Sequence, residues 1–157
     1  MKKIKTNAMR ILDKEKIDYE LKSYPLDGLE AAVDVPTYIG ITRNQLFKTL
    51  VTTDTRGGYY VFVISSAEEL DLKKAAAAIG VKKIEMLKQK DLLPLTGYIH
   101  GGCTAVGMKK AFPTWIDAQI LNWDKVVVSA GKVGFLIAIK PQALIDVVKA
   151  NVVDVIK

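Results

Sequence analysis

Three short stretches of this sequence carry residue types that could do chemistry. In Phe47-Lys48-Thr49-Leu50-Val51 a lysine interrupts a run of strand-forming residues. Burying even part of an ammonium is unfavourable without a partner. Lys48 is therefore either an edge-strand lysine that discourages aggregation or a cation aimed into a cleft, where it could bind ribose, phosphate or a carbonyl oxygen. Ser129-Ala130-Gly131-Lys132-Val133-Gly134 reads as a tight turn between two strands. Its backbone N–H groups either close an ordinary hairpin or cradle an anion or a developing oxyanion. The stretch Gly97 to Gly107 holds four glycines and no helical period, which makes it a loop and a candidate pocket wall.

That loop also contains the single histidine, His100, and the single cysteine, Cys103. One cysteine allows no intramolecular disulfide, and with one histidine no multi-ligand Cys/His zinc site can form, so neither metal nor cofactor is expected. A Cys-His nucleophilic pair would rest on two residues only three apart in a loop. Such proximity is weak ground, because catalytic pairs are set by geometry and not by spacing. The glycines do not follow G-x-G-x-x-G, and Gly131-Lys132 lacks the upstream glycine and following Ser/Thr of a phosphate loop. Tyr24, Tyr98, Trp115 and Trp123 read either as core residues at strand positions or as stacking platforms for a base. The pairs Lys73-Lys74, Lys82-Lys83 and Lys109-Lys110 are either solvated charge or a phosphate-contacting surface.

Elements must position these residues. Thr6 or Asn7 caps a helix predicted over Ala8 to Lys16, and alternation predicts a strand from Tyr19 to Tyr24. Leu29 to Ile39 reads as a helix broken or restarted at Pro36. Thr42-Arg43-Asn44-Gln45 has capping-box spacing and predicts a helical turn leading into the strand over Phe47 to Thr53. Turn residues Arg56-Gly57-Gly58 join that strand to the apolar Tyr59 to Ile64, a hairpin expected at the centre of the sheet. Asp71 caps a helix over Leu72 to Ile79, closed by Gly80. Val81 to Met86 reads as strand, and Leu87 to Leu93 as a short helix ended by Pro94. Strands over Trp115 to Asp117, Val126 to Ser129, Phe135 to Ile139 and Val152 to Ile156, with a helix over Gln142 to Ala150, complete the chain. The elements do not alternate as in a doubly wound fold, so the reading is α+β, a mixed sheet wrapped by helices.

A length of 157 residues, half of them hydrophobic and a quarter charged, suits one soluble domain spanning 1–157. No stretch approaches the roughly 18 apolar residues of a membrane span, and the opening residues lack an apolar run. A cytoplasmic protein without a membrane partner is expected. Lysine and arginine number 23 against 17 acidic residues, and this charge of +6 favours a polyanionic partner through counterion release.

Taken together, these segments resemble the YbaK/EbsC family of aminoacyl-tRNA deacylases over nearly the whole chain. The matching signals run in order. They are Lys5-Thr6-Asn7-Ala8, Phe47-Lys48-Thr49-Leu50-Val51, Leu70-Asp71-Leu72-Lys73-Lys74, Gly97-Tyr98 with Gly101-Gly102, Gly107 with Lys109-Lys110, and Val128-Ser129-Ala130-Gly131-Lys132 with Gly134.

The resemblance implies a barrel-like mixed β-sheet fold and a trans-editing hydrolase that cleaves the ester joining a wrong amino acid to transfer RNA. The nearest branch acts on cysteine attached to proline transfer RNA. An alanine-specific deacylase and a catalytically silent tRNA-binding module are the alternatives. The resemblance makes Lys48 the principal functional residue, with Thr49, Gly101, Gly102 and Ser129 lining its pocket, Gly131 in the same turn and Tyr24 nearby. Lys109 and Lys110 would contact RNA, and misacylated tRNA, with prolyl-tRNA synthetase in a transient complex, would be the partners. No protein nucleophile is required: backbone N–H groups near Gly101 and Ser129 would stabilise the oxyanion while water or a substrate group attacks. Three departures bear on amino acid specificity more than on reaction class. The segment between Tyr24 and Glu30 is shorter and lacks a phenylalanine, Leu136 and Ala138 stand where polar or acidic residues are frequent, and the loop reads Cys103-Thr104-Ala105.

Overall fold

The structure, a computed structural model, describes residues 4–25 and 34–157. The Thr6 hydroxyl accepts from the Met9 N–H at 3.1 Å and so caps α1 (Asn7–Lys14), which buries Ala8, Met9 and Leu12 on one face. The helix stops short of the expected Lys16, which turns to φ 58°. β1 (Tyr19–Ser23) follows. Of the helix expected over Leu29 to Ile39, the first five residues lie outside the described ones. The described helix is α2 (Asp34–Ile39), with Pro36 as its third residue.

The Thr42 to Gln45 segment forms turns closed by Gln45 N–H to the Thr42 carbonyl and Leu46 N–H to the Arg43 carbonyl, not a helical turn. The Gln45 amide is used elsewhere, donating to the Lys125 carbonyl at 2.9 Å. β2 (Phe47–Thr53) and β3 (Tyr59–Ser65) then form the expected antiparallel hairpin. Asp71 accepts from the Lys73 and Lys74 N–H groups and caps α3 (Leu72–Ile79), as predicted. The strand expected over Val81 to Met86 shrinks to β4 (Glu85–Met86), paired with the end of β2.

Pro94 does not end the next helix: α4 (Gln89–Thr96) runs through it and is closed by Gly97, whose N–H reaches the Leu93 carbonyl. The Thr96 hydroxyl, donating to the Leu92 carbonyl at 2.8 Å, supports the same last turn. β5 (Thr114–Asp117), a 3-10 turn over Ala118–Asn122, β6 (Val126–Lys132), β7 (Phe135–Ile139), α5 (Pro141–Val148) and β8 (Asn151–Val153) complete the chain.

Among the described residues the strands form two sheets and not one closed barrel. One has the order β1-β7-β6 and the other β4-β2-β3-β5-β8, so the predicted hairpin is indeed internal. The larger sheet is mixed, with β3–β5 and β5–β8 parallel. The α+β expectation holds; ladder closure is replaced by a junction of two sheets. That junction is a single parallel bridge between Leu46 and Val127, where the Val127 N–H donates to the Gln45 carbonyl at 3.0 Å.

The main core lies between the sheets, with α1 and α5 packed on it. Met9, Leu12, Phe47, Val128, Ile137 and Leu144 meet there. A second cluster under α3 holds Phe62, Ile64 and Trp115, with the Phe62 and Trp115 rings stacked at 5.5 Å. Full burial of a side chain such as Phe62 contributes about 2–3 kcal/mol. Trp115 is therefore a core residue and not a platform for a base. Asp117 is also buried, but both carboxylate oxygens accept backbone N–H groups, from Gln119 and Val155, so its burial is compensated.

Candidate active site

β2 and β6 touch through one bridge and then part, and the candidate residues stand at that parting. The bridge joins Leu46 to Val127 in parallel. Two residues further along each strand come Lys48 and Ser129, both half-buried. Side chains two apart share a strand face. Lys48 therefore emerges on the face of Leu46, and Ser129 on the face of Val127. Leu46 and Val127 belong to one apolar cluster with Val35, Leu136, Ala138 and Tyr24. The structure thus sets a cation and a hydroxyl over an apolar floor. Leu136 is the direct ladder partner of Ser129.

Lys48 pairs with Ile64 across the hairpin, and among the described residues no carboxylate lies within ion-pair distance of it. Burial lowers its pKa from the ordinary 10.5, and repulsion from Arg43 lowers it further, against a smaller opposing pull from Glu69. Sequence reasoning missed Arg43. The sequence marks it only as part of a cap, but its guanidinium donates to the Ser66 carbonyl at 3.0 Å and its own carbonyl accepts from the Ser66 hydroxyl at 2.7 Å. No local pattern reports this, since the two segments are joined only by the hairpin between them.

Thr49 does not share the Lys48 face. Alternation puts it with Phe47 and Val51, and Val51 packs in the cluster that contains Tyr98 and Cys103. The Ser129 hydroxyl accepts from the Gly131 N–H at 3.1 Å, so that N–H is already engaged and is not a spare oxyanion donor. Gly131 has φ 99°, a left-handed value that favours glycine, and it sits in the register shift between Ser129 and Lys132. The Gly102 N–H is likewise engaged, by the Ile99 carbonyl at 3.0 Å, whereas among the described residues no carbonyl accepts from Gly101.

The loop bearing Gly101 and Gly102 is pressed onto the turn after β6. A Cβ on Gly102 would meet the Val133 nitrogen at 3.0 Å, and one on Gly101 would meet the Val133 side chain at 3.6 Å. Tyr24 joins the same region through its N–H, which donates to the Gly134 carbonyl at 3.0 Å.

Cys103 is buried, and burial pushes its thiol up to about 11, so it stays protonated and unreactive near neutrality. His100 is exposed. We expect Cys103→Ala and His100→Ala, assayed separately for substrate hydrolysis, each to keep activity within about threefold of wild type. A loss of about a thousandfold in either would instead indicate covalent catalysis.

Tyr98 is buried and its hydroxyl donates to the Val106 carbonyl at 2.6 Å, a structural use that leaves no face for a base. Of the lysine pairs, Lys74 is bound to Asp154 and to the Ile156 carbonyl, and Lys109 reaches the Pro94 carbonyl at 3.3 Å, while Lys110 is exposed. A cavity of about 380 Å³ opens beside the loop, lined by Asn7, Tyr98, Gly107 and Lys109 among others; Lys48 is not part of it.

A family profile described as "Aminoacyl-tRNA editing domain" matches residues 27–147, a span that takes in Lys48, Gly101, Gly102 and Ser129. The chain belongs to this aminoacyl-tRNA editing family. It is 42% identical over 154 residues, covering 96% of this chain and 93% of the relative, to an Enterococcus faecalis protein provisionally named a Cys-tRNA(Pro)/Cys-tRNA(Cys) deacylase, EbsC. A proline–tRNA ligase of Pelobacter propionicus is 22% identical over 113 residues, which are 72% of this chain and 20% of the ligase. In fold, a crystal structure provisionally described as a trans-editing enzyme for prolyl tRNA synthetase superposes with a TM-score of 0.85, covering 99% of each chain at 24% identity. Family membership carries aminoacyl-tRNA hydrolysis as the general activity. Among the described residues no helix is long and apolar enough to cross a membrane.

Proposed function

We propose that residues 1–157 act as one cytoplasmic trans-editing domain that hydrolyses Cys-tRNA(Pro). The observation that carries this reading is that the half-buried Lys48 and Ser129 each lie two residues beyond the Leu46–Val127 bridge at which the two sheets part, with Leu46 and Val127 in one apolar cluster. The Lys48 ammonium holds the terminal ribose or its phosphate and aligns the ester. Water adds to the carbonyl carbon, and the Gly101 N–H faces the developing oxyanion. The carbon–oxygen bond to the ribose then breaks, the ribose oxygen takes the proton, and free amino acid leaves. A thiol or methyl side chain meets Tyr24, Leu136 and Ala138 without leaving a polar group unsatisfied, which supports a small, weakly polar amino acid. The relative named for Cys-tRNA(Pro) favours cysteine.

The test is a panel of charged transfer RNAs incubated with the isolated protein. Fastest release of cysteine from proline tRNA is expected. Faster release of alanine would make the enzyme alanine-specific, and release of nothing would leave a binding module. Prolyl-tRNA synthetase as a transient partner is tested by adding it to the same assay, where it should raise kcat/KM.

Binding of uncharged tRNA should weaken with salt at a log–log slope near −0.7 for each single-strand phosphate neutralised. Replacing Lys109 and Lys110 by alanine should flatten that slope by about 1.4, about 0.7 for each lysine, because their exposed side chains meet backbone phosphate. Equal slopes for the two proteins would remove this surface from the binding site.

A further inference from the structure

Thr6 and Asn7 stand at the start of α1, far in sequence from the candidate site, yet both side chains reach its two glycine segments. The Thr6 hydroxyl donates to the Ala130 carbonyl at 2.5 Å while accepting from the Met9 N–H. The adjacent Asn7 amide donates to the Gly107 carbonyl at 3.1 Å. Ala130 lies at the Ser129–Lys132 register shift of β6, and Gly107 closes the loop that carries Gly101 and Gly102. One helix end therefore ties both walls together.

Tyr98 fills the space between those walls. A Cβ on Gly131 would meet the Tyr98 ring at 3.1 Å and the Thr6 Cβ at 3.6 Å. A Cβ on Gly107 would meet Asn7 Nδ2 at 2.7 Å, Ile11 at 2.9 Å and the Tyr98 hydroxyl at 3.0 Å. Glycine at both positions is what lets the helix end and the ring approach the two backbones.

We propose that Thr6 and Asn7, braced by Tyr98, are positioning residues that hold the irregular Ser129–Lys132 end of β6 and the Gly101–Gly107 loop in register for the candidate site. They touch no substrate. Their effect on turnover rests on the hydrolase reading above, but the clasp itself does not.

Capping and clasping are separable, because an aspartate at position 6 still accepts from the Met9 N–H but cannot donate to the Ala130 carbonyl. Steady-state hydrolysis of Cys-tRNA(Pro) and amide hydrogen exchange are measured for wild type, Thr6→Ser, Thr6→Asp and Asn7→Asp. Thr6→Asp and Asn7→Asp should lower kcat by about ten- to a hundredfold with KM within about threefold, since misplacement by an ångström has effects of this size. Exchange at the Gly131, Gly102 and Val106 amides should rise about tenfold in both, and Thr6→Ser should match wild type in both measurements.

Wild-type exchange at those amides in Thr6→Asp and Asn7→Asp overturns the clasp. Loss in Thr6→Ser as large as in Thr6→Asp also overturns it, because a hydroxyl donor is then not what matters. Should Thr6→Asp expose amides throughout the chain, the exposed Asn7 supplies the deciding variant. If wild type releases no amino acid from any charged tRNA, the hydrolase reading fails, and the exchange pattern still decides the clasp.

Discussion

Lys48→Ala should reduce kcat/KM for charged tRNA, measured as release of free amino acid, by about a thousandfold or more and leave the thermal midpoint within a few degrees of wild type. The size follows from losing both the positioning of the terminal nucleotide and a fixed charge beside the developing oxyanion, each worth on the order of ten- to a thousandfold. The fold tolerates the change. Among the described residues Lys48 has no ion-pair partner to orphan, and its ammonium is disfavoured by partial burial and by Arg43.

The pH profile follows from the direction of that shift. A lysine whose pKa is lowered stays charged below that value and becomes neutral as pH rises through it, so enzymic turnover, corrected for hydroxide cleavage of the ester, should fall at a pH below the ordinary 10.5. Lys48→Arg keeps its charge over this range and should lose the alkaline limb, whatever its absolute rate. Full activity in Lys48→Ala would remove the residue from the mechanism.

Gly102→Val is expected to lower kcat about a hundredfold and stability by about 1–3 kcal/mol. A Cβ there would lie 3.0 Å from the Val133 nitrogen and 3.3 Å from the Lys132 carbonyl carbon. These are backbone atoms of the turn after β6, which cannot rotate aside as a side chain would. The loop and the turn must separate, and Gly101 is carried away from Val133. Gly58→Ala is the matched control. Its Cβ would also collide, but with the Asp54 and Tyr60 side chains in the hairpin loop, remote from Lys48 along both strands. That variant should be destabilised while keeping wild-type kcat. Equal kcat for Gly102→Val and wild type would mean that the spacing of loop and turn is irrelevant to turnover.

Much of the architecture follows from local rules that act over a few residues. Asp71 and Gly80 bracket α3 because a carboxylate accepts the first N–H groups of a helix and glycine closes its end, and both signals lie in sequence. The hairpin of β2 and β3 follows in the same way from apolar strands around Arg56-Gly57-Gly58. Pro94 departs from this pattern. Pro94 has no N–H to give the Lys90 carbonyl, yet α4 runs one turn further because the Thr96 hydroxyl and the Gly97 N–H bond the Leu92 and Leu93 carbonyls beyond it.

At the candidate site the local pattern marked Lys48 as anomalous in an apolar strand, and the ordered motifs pointed to the family. Neither could bring the strand of Lys48 to the strand of Ser129, because that meeting depends on one bridge between residues some eighty positions apart, Leu46 to Val127. The same limit hid Arg43 against Ser66 and Thr6 against Ala130. Capping and turn chemistry are short-ranged and leave a trace in neighbouring residue types. A side chain donating to a distant carbonyl leaves none, since every carbonyl is chemically alike and only packing of the two sheets decides which one comes within reach.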